Sequence, residues 1–245
     1  MQNKIFTIDN KKITVYPALA ENRPVIYLTT YNDDGGEVYA QVQKGGSPDF
    51  TLVTVSGLNW EAELSPWAAG NLFKYSEMFT GGADAYLQFL TQQVLPQAEA
   101  GLNGILWRGL AGYSLAGLFT VYALYKTDLF SRAASMSGSL WYPGFKDFAM
   151  QSVLCKTPQH LYFSLGDKEA RARNQYLKTV QQCTEELAAH YSSLGINTCY
   201  ELNPGGHYRN IISRSAAVIT RRVLHCKFSK SIEMCLKARA KKCGG

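Results

Sequence analysis

Short apolar runs alternate with segments of helical pattern along most of this sequence, and this alternation is the strongest constraint on its fold. Two early runs, KIFTI and KITVYPA, predict an antiparallel pair of strands at a sheet edge. Residues 24–30 (PVIYLTT) and 50–56 (FTLVTVS) are continuously apolar or β-branched, which is typical of strands buried on both faces. The order predicts an α/β fold with a mostly parallel central sheet and helices on both faces.

The second half of the chain continues the same alternation. Further strands are predicted near 105–111 and at 131–139, 159–166 and 197–203. Helices are predicted after Ser114 and over three stretches with apolar residues at helical spacing, 85–100, 175–195 and 208–225. Gly195 is well placed to end the second of these.

Composition and charge limit the class of protein. The 245 residues are 46% hydrophobic and 18% charged, as in compact globular chains. Most of the net charge of +6 lies in residues 226–245, which hold six basic residues and one acid, so the body has no broad basic surface for nucleic acid. We expect one domain over 1–225 and a basic, cysteine-containing tail over 226–245 that activity does not need.

The sequence lacks the patterns of an export signal, a membrane span and a compact metal site. No stretch has the length of a signal-peptide core or a membrane span, which predicts a cytoplasmic protein that binds no membrane. The six cysteines form no CxxC pair, so we expect free thiols and no metal site.

The stretch GYSLAG, residues 112–117, places one serine between small residues, directly after a predicted strand and before a helix. A nucleophilic serine on such a turn has a strained backbone, so its neighbours must be small, and Gly112 and Ala116 satisfy this demand. The helix start also favours negative charge near Ser114 and the Leu115 backbone N–H. The alternative is an ordinary N-cap serine.

A serine hydroxyl needs an adjacent base, itself oriented by an acid, to act as a nucleophile near neutral pH. Of the four histidines, only His207 falls in a loop after the final predicted strand, where two glycines leave room for its ring. The acid should come from the loop after the preceding strand. Glu169 is the first candidate and Asp167 the second, and either could instead pair with neighbouring basic residues.

Other site residues are predicted from position alone. The oxyanion donors should be the backbone N–H of Leu115 and that of Tyr31 or Asn32, in the loop after the strand 24–30. The long loop 57–81 is rich in aromatic residues. Candidate substrate contacts, each with core or lid packing as its alternative, are Trp60, Trp67, Trp141, Tyr142, Arg171 and Arg173.

Several stretches resemble the α/β-hydrolase serine esterases of the "putative esterase" type. They are GYSLAG, SMSGSLWY, SLGDKEARARN, ELNPGGHY and GGADAYLQFL, with ELSPW before the last, and the resemblance covers roughly residues 24–225 in the family's order. Within that group the sequence is similar to catecholate-siderophore esterases, which hydrolyse enterobactin-like trilactones, and to relatives of esterase D. The resemblance implies the α/β-hydrolase fold, a small-molecule ester substrate, hydrolysis through Ser114 and His207, and no metal or organic cofactor.

Two alternatives stay open at this point. Some siderophore esterases work with a Ser–His pair, so the acid could be dispensable. The same site would also suit acyl transfer or thioester or peptide hydrolysis, because the triad does not determine the leaving group, and a catalytically silent binding module on this fold is the remaining class.

Overall fold

The structure, a computed structural model, describes residues 2–31, 35–74 and 77–220. Its main sheet has eight strands: β1 (Lys4–Ile8), β2 (Lys11–Tyr16), β3 (Arg23–Thr29), β4 (Thr51–Ser56), β7 (Ile105–Tyr113), β8 (Arg132–Met136), β9 (His160–Gly166) and β10 (Asn197–Asn203). Two short strands, β5 (Ala68–Gly70) and β6 (Phe79–Thr80), pair separately inside the long loop. Asn32 and the predicted tail lie outside the described residues.

The helices fall between these strands, as the alternation predicts. They are α1 (Gly36–Lys44), α2 (Trp60–Leu64), α3 (Ala83–Phe89), α4 (Leu95–Glu99), α5 (Leu115–Ala123), α6 (Phe145–Gln151), α7 (Val180–Ser193) and α8 (Ile211–Val218). The sequence gives weak signals for α1 and α6, which are short and were not predicted.

The order of strands across the main sheet is β1-β2-β4-β3-β7-β8-β9-β10. The pairs that involve β2 are antiparallel and all later pairs are parallel. The carboxyl ends of β3, β7, β8, β9 and β10 therefore meet at one edge of the sheet, where ligands bind in folds of this kind.

Each face of the sheet carries its own apolar core. Val25 and Tyr27 of β3 pack on the side that holds α3, α5 and α7, whereas Ile26 and Leu28 pack on the side that holds α1 and α8. Both faces are thus covered, and the continuous apolar runs in the strands follow from that double burial. All nine residues of α5 are buried, which places this helix at the centre of the first layer.

The helix predicted over 85–100 is interrupted in the structure. Residues Leu90–Val94 form a π-helical segment between α3 and α4. Pro96, two residues after this segment, has no N–H to donate to the carbonyl four residues earlier, so the regular α-helical ladder cannot run through this stretch.

The helix predicted over 175–195 begins later, at Val180. The Asn174 side chain accepts hydrogen bonds from the backbone N–H groups of Tyr176 and Leu177, and this turn leads into a 3₁₀ segment over Leu177–Thr179. Its end agrees with the sequence, because Gly195 has φ +78° just past the last turn.

Among the described residues, no helix is long and apolar enough to cross a bilayer. Nor does any group of three or more His, Cys, Asp or Glu residues in this part of the chain have the arrangement of a metal site. The predicted absence of metal and organic cofactors stays a prediction.

Candidate active site

Ser114 occupies a sharp turn between β7 and α5. Its backbone has φ 59° and ψ −122°, a conformation that costs free energy for any residue with a Cβ atom. Backbone hydrogen bonds hold this turn from both sides: the Ser114 N–H donates to Met136 O, and its carbonyl accepts from Ser139 N, each at 3.0 Å. Although Ser114 lies at the N-cap position, its side chain makes no capping hydrogen bond. The hydroxyl is therefore directed away from the helix end.

Small neighbours allow this turn to close. A Cβ atom at Gly112 would lie 2.2 Å from Ala116 O, closer than any real contact. At Gly117 it would lie 2.9 Å from Gly138 Cα and 2.9 Å from Ser135 Oγ. The glycines thus permit the helix start to sit directly against the ends of β7 and β8.

Two loops at the same edge bring a histidine and a carboxylate together. The loop after β9 donates from Asp167 N to Asn203 O and from Lys168 N to Gly205 O, which aligns it with the loop after β10. Glu169 lies on the first of these loops and His207 on the second.

The three side chains form one hydrogen-bonded series. His207 Nδ1 lies 2.8 Å from Glu169 Oε2, and His207 Nε2 lies 3.1 Å from Ser114 Oγ. Because an ionised carboxylate can only accept, Nδ1 carries the imidazole proton and Nε2 is free to accept from the serine hydroxyl. This arrangement can move a proton from Ser114 to His207 without moving a heavy atom far.

Glu169 is almost completely buried, with 4% of its side chain exposed. Burial acts to raise the pKa of this carboxyl, but hydrogen bonds from His207, Ser137 and the Gly166 backbone N–H outweigh it and hold the pKa below its ordinary value. The carboxylate is therefore ionised at neutral pH, although it lies in the interior.

Asp167, the second candidate for the acid, has a different role in the structure. Its carboxylate accepts a hydrogen bond from Gly205 N at 2.8 Å and ties the two loops together. It is Glu169, two residues further on, whose side chain meets the imidazole, because the chain turns into a short 3₁₀ segment over Glu169–Arg171.

The two expected oxyanion donors lie at neighbouring strand ends. Leu115 is the first residue of α5, where an N–H group has no partner within the helix. Thr29 of β3 pairs with Gly112 of β7, so the chain that continues to Tyr31 leaves the sheet beside the Ser114 turn. Asn32, the other candidate for the second donor, is outside the described residues.

Two of the predicted substrate contacts, Trp67 and Tyr142, pack against each other beside α5. Tyr142 is 2% exposed, and its hydroxyl donates to Trp67 O at 2.6 Å. The Trp67 indole N–H donates to Pro143 O, and its ring packs against Tyr122 and Phe148. Since Tyr122 lies eight residues after Ser114, this aromatic cluster sits about 12 Å along α5 from the serine. Contact of Trp67 and Tyr142 with substrate stays a prediction.

The remaining candidates lie nearer the edge that carries the serine. Trp60 is half-buried and meets the exposed ring of Tyr31 edge to face, with centroids 5.2 Å apart. Trp141 follows Ser139, which bonds to the Ser114 turn, but the ring is largely covered by Phe73 and Tyr176. Both arginines that follow Glu169, Arg171 and Arg173, are exposed.

Three residues behind Glu169 were not predicted from the sequence: Tyr113, Ser137 and Arg214. Ser137 Oγ lies 2.5 Å from Glu169 Oε1, and the Arg214 guanidinium reaches both Ser137 and Tyr113. A signal for Arg214 exists, because it stands three residues after Ile211 and four before Val218, on the apolar face of its helix. A basic residue at such a position is expected to be paired.

Comparison with solved structures identifies the fold. An IroE-like serine hydrolase from Shewanella oneidensis superposes with a TM-score of 0.73 at 17% identity, covering 91% of this chain and 79% of that one. The siderophore hydrolase EstB from Aspergillus nidulans gives 0.69 at 16% identity, covering 89% of this chain and 95% of that one. With the sheet order and the serine turn described above, these similarities define an α/β-hydrolase fold.

Sequence comparison adds the family. The chain belongs to the family described as "Putative esterase", whose model matches residues 11–210, and is by this membership a carboxylic ester hydrolase. It is also 25% identical over 191 residues to the uncharacterized protein YbbA of Bacillus subtilis (strain 168), an alignment that covers 73% of this chain and 76% of the relative.

Proposed function

We propose that this protein hydrolyses carboxylic esters by covalent catalysis with Ser114 as nucleophile, His207 as general base and Glu169 as the acid that orients His207. The observation that carries the proposal is the hydrogen-bonded series from Ser114 Oγ through both imidazole nitrogens to Glu169, at 3.1 and 2.8 Å. A positioned base of this kind typically contributes about 10² to 10⁴ in rate.

In the proposed reaction, Ser114 Oγ attacks the ester carbonyl carbon while His207 Nε2 accepts the hydroxyl proton. The resulting oxyanion is held by the Leu115 N–H and by an N–H from Tyr31 or Asn32, where each donor is worth about 10² to 10³ in rate. Collapse of the intermediate expels the alcohol, which takes the proton from His207. Water then attacks the acyl-enzyme while His207 again accepts a proton, and breakage of the bond to Ser114 Oγ releases the carboxylic acid as His207 returns the proton to Ser114.

The proposed substrate class is a small ester whose acyl part carries an aromatic or catecholate substituent, as in siderophore trilactones. The rings of Tyr31 and Trp60 lie where the chain leaves β3, next to the expected second oxyanion donor, and support an aromatic group in the substrate. Trp141 is a further candidate for the wall of this acyl site. Exposed Arg171 and Arg173 would favour an anionic or catecholate substituent. The name of the siderophore hydrolase EstB, a structural neighbour, supports a siderophore ester as the substrate. The cytoplasmic location predicted from the sequence also stays a prediction.

Turnover of matched esters tests this proposal. Wild-type protein should hydrolyse p-nitrophenyl acetate and an ester of N-(2,3-dihydroxybenzoyl)serine, with a burst of alcohol release if deacylation is slow, and Ser114→Ala should abolish both. Product analysis with added alcohol, thioester or peptide separates hydrolysis from the related reactions. A wild-type protein that turns over no ester would favour the silent binding module.

A further inference from the structure

The carboxylate of Glu169 is held from behind by a buried arginine on the last described helix. Arg214 lies on α8 and is 7% exposed. Its Nη1 atom lies 3.6 Å from Glu169 Oε1, an ion pair within the protein interior. Burying a guanidinium costs free energy unless it is paired and hydrogen-bonded, so Arg214 needs partners that compensate for the loss of water around its charge.

The two terminal nitrogens of Arg214 donate to two different hydroxyls. Nη2 donates to Ser137 Oγ at 2.7 Å, and Nη1 donates to the Tyr113 hydroxyl at 2.6 Å. The guanidinium carbon also lies 5.3 Å from the centre of the Tyr113 ring. The planar fork of arginine can serve two fixed acceptors at once, which a lysine ammonium on a flexible stem does less well.

Each of these two hydroxyls in turn donates a hydrogen bond to one residue of the His207–Glu169 pair. Ser137 has a single proton, and the 2.5 Å separation from Glu169 Oε1 assigns that proton to the carboxylate. The Tyr113 hydroxyl donates to the backbone carbonyl of His207 at 2.5 Å. The Ser137 backbone has φ 46°, a strained conformation for a residue other than glycine. The strained residue is thus the one whose hydroxyl contacts the Glu169 carboxylate.

We infer that Arg214 is a positioning residue for the proposed ester hydrolysis, acting through Ser137 on the acid and through Tyr113 on the loop that carries the base. The first relay, Arg214–Ser137–Glu169, holds Oε1 so that Oε2 is presented to His207 Nδ1. The second relay, Arg214–Tyr113–His207, fixes the backbone from which the imidazole extends. The inference rests on the proposed function, because both relays end on residues assigned there.

The two relays have different consequences for pH dependence. The charged and titratable groups that face Glu169 are Arg214 from α8, Tyr113 from the end of β7, and His207 from the loop after β10; Ser137 and Gly166 N–H add neutral donors. Without the cation, the His207–Glu169 pair holds a proton more tightly, so the acid limb of the kcat/KM profile should move to higher pH. Loss of the Tyr113 hydroxyl removes no charge and should leave that limb in place.

Steady-state kinetics across pH, with p-nitrophenyl acetate as the probe substrate, test the inference. Arg214→Met should lower kcat about 10- to 100-fold, the range expected for losing a charge-assisted hydrogen bond, with KM little changed and the acid limb at higher pH. Arg214→Lys should return the acid limb to its wild-type position but recover kcat only in part. Ser137→Ala should move the limb in the same direction as Arg214→Met, whereas Tyr113→Phe should lower kcat alone.

Arg108→Met is the matched control. Arg108 is also partly buried and donates to both carboxylate oxygens of Glu99, at 2.6 and 2.8 Å. It lies six residues before Ser114 along β7, about 20 Å away. This variant should lower the denaturation midpoint while leaving kcat and the acid limb unchanged.

Three results would overturn the inference. One is a folded Arg214→Met protein with wild-type kcat and acid limb, and another is an equal loss of kcat in Arg108→Met. If Arg214→Met does not fold, wild-type behaviour of both Ser137→Ala and Tyr113→Phe would overturn it. Failure of the proposed function looks different, since the wild type and Ser114→Ala would then be equally inactive.

Discussion

Glu169 shows most clearly how a single residue can link folding to activity. Its carboxylate is buried, accepts from His207, Ser137 and the Gly166 N–H, and lies beside the Arg214 cation. Glu169→Gln keeps the shape but loses the charge that stabilises the imidazolium and selects its tautomer. We expect kcat to fall by about 10² to 10⁴, measured with a p-nitrophenyl ester.

Glu186→Gln is the control for this substitution, because Glu186 pairs with Lys146 at 2.8 Å and is not among the residues assigned to the site. It should retain wild-type kcat. Full activity of Glu169→Gln would instead mean that the reaction proceeds with a Ser–His pair.

The same carboxyl also predicts how stability changes with pH. Its folded pKa lies below the ordinary value, since the donors outweigh burial, so the ionised group stabilises the fold at pH values above its unfolded pKa. That contribution is lost as the pH falls through the lowered folded pKa. The free energy of unfolding of wild type minus that of Glu169→Gln, measured by denaturant titration, should therefore decrease on acidification below about pH 4.5. A difference that grows on acidification would contradict the account.

At the scale of elements, the turn between β7 and α5 depends on the absence of one side chain. Gly112→Ala would bring a methyl group to 2.2 Å from Ala116 O, so the helix start must move away from the strand. We expect a loss of about 1–3 kcal/mol in unfolding free energy and a larger loss of activity, because Ser114 and the Leu115 N–H move together. Gly45→Ala, where the nearest atom would lie at 3.4 Å and φ is −76°, should change neither.

The elements differ in how far the sequence determines them. The strands of the main sheet and the serine turn are predictable, because apolar runs such as 50–56 and the small residues of GYSLAG reflect local requirements of burial and space. The sequence ranks Glu169 ahead of Asp167 but leaves both open, since two eligible carboxylates stand two residues apart and the 3₁₀ turn decides which one reaches His207. Trp67 and Tyr142 are predicted substrate contacts on residue type, and only the tertiary structure shows that they pack against each other beside α5. Arg214 was missed because its partners come from β7, the loop after β8 and the loop after β9, which no local pattern joins.

At the scale of the whole molecule, every described residue assigned to the site lies between Tyr31 and Arg214. The basic segment 226–245 contributes none of the proposed chemistry. We therefore expect a chain that ends at residue 225 to keep its kcat for p-nitrophenyl esters and its folded circular dichroism spectrum. Loss of both would show that the fold needs the segment, and loss of kcat alone would show that the segment takes part in the reaction.

The central claim is that Ser114 is the nucleophile, and covalent labelling tests it most directly. A fluorophosphonate probe should label the wild-type protein with one equivalent, and peptide mass spectrometry should locate the adduct on Ser114. Ser114→Ala should show no labelling and should lose ester turnover by roughly 10⁶-fold, as expected when a catalytic serine is removed. Labelling that persists in folded Ser114→Ala, or wild-type turnover by that variant, would contradict the account.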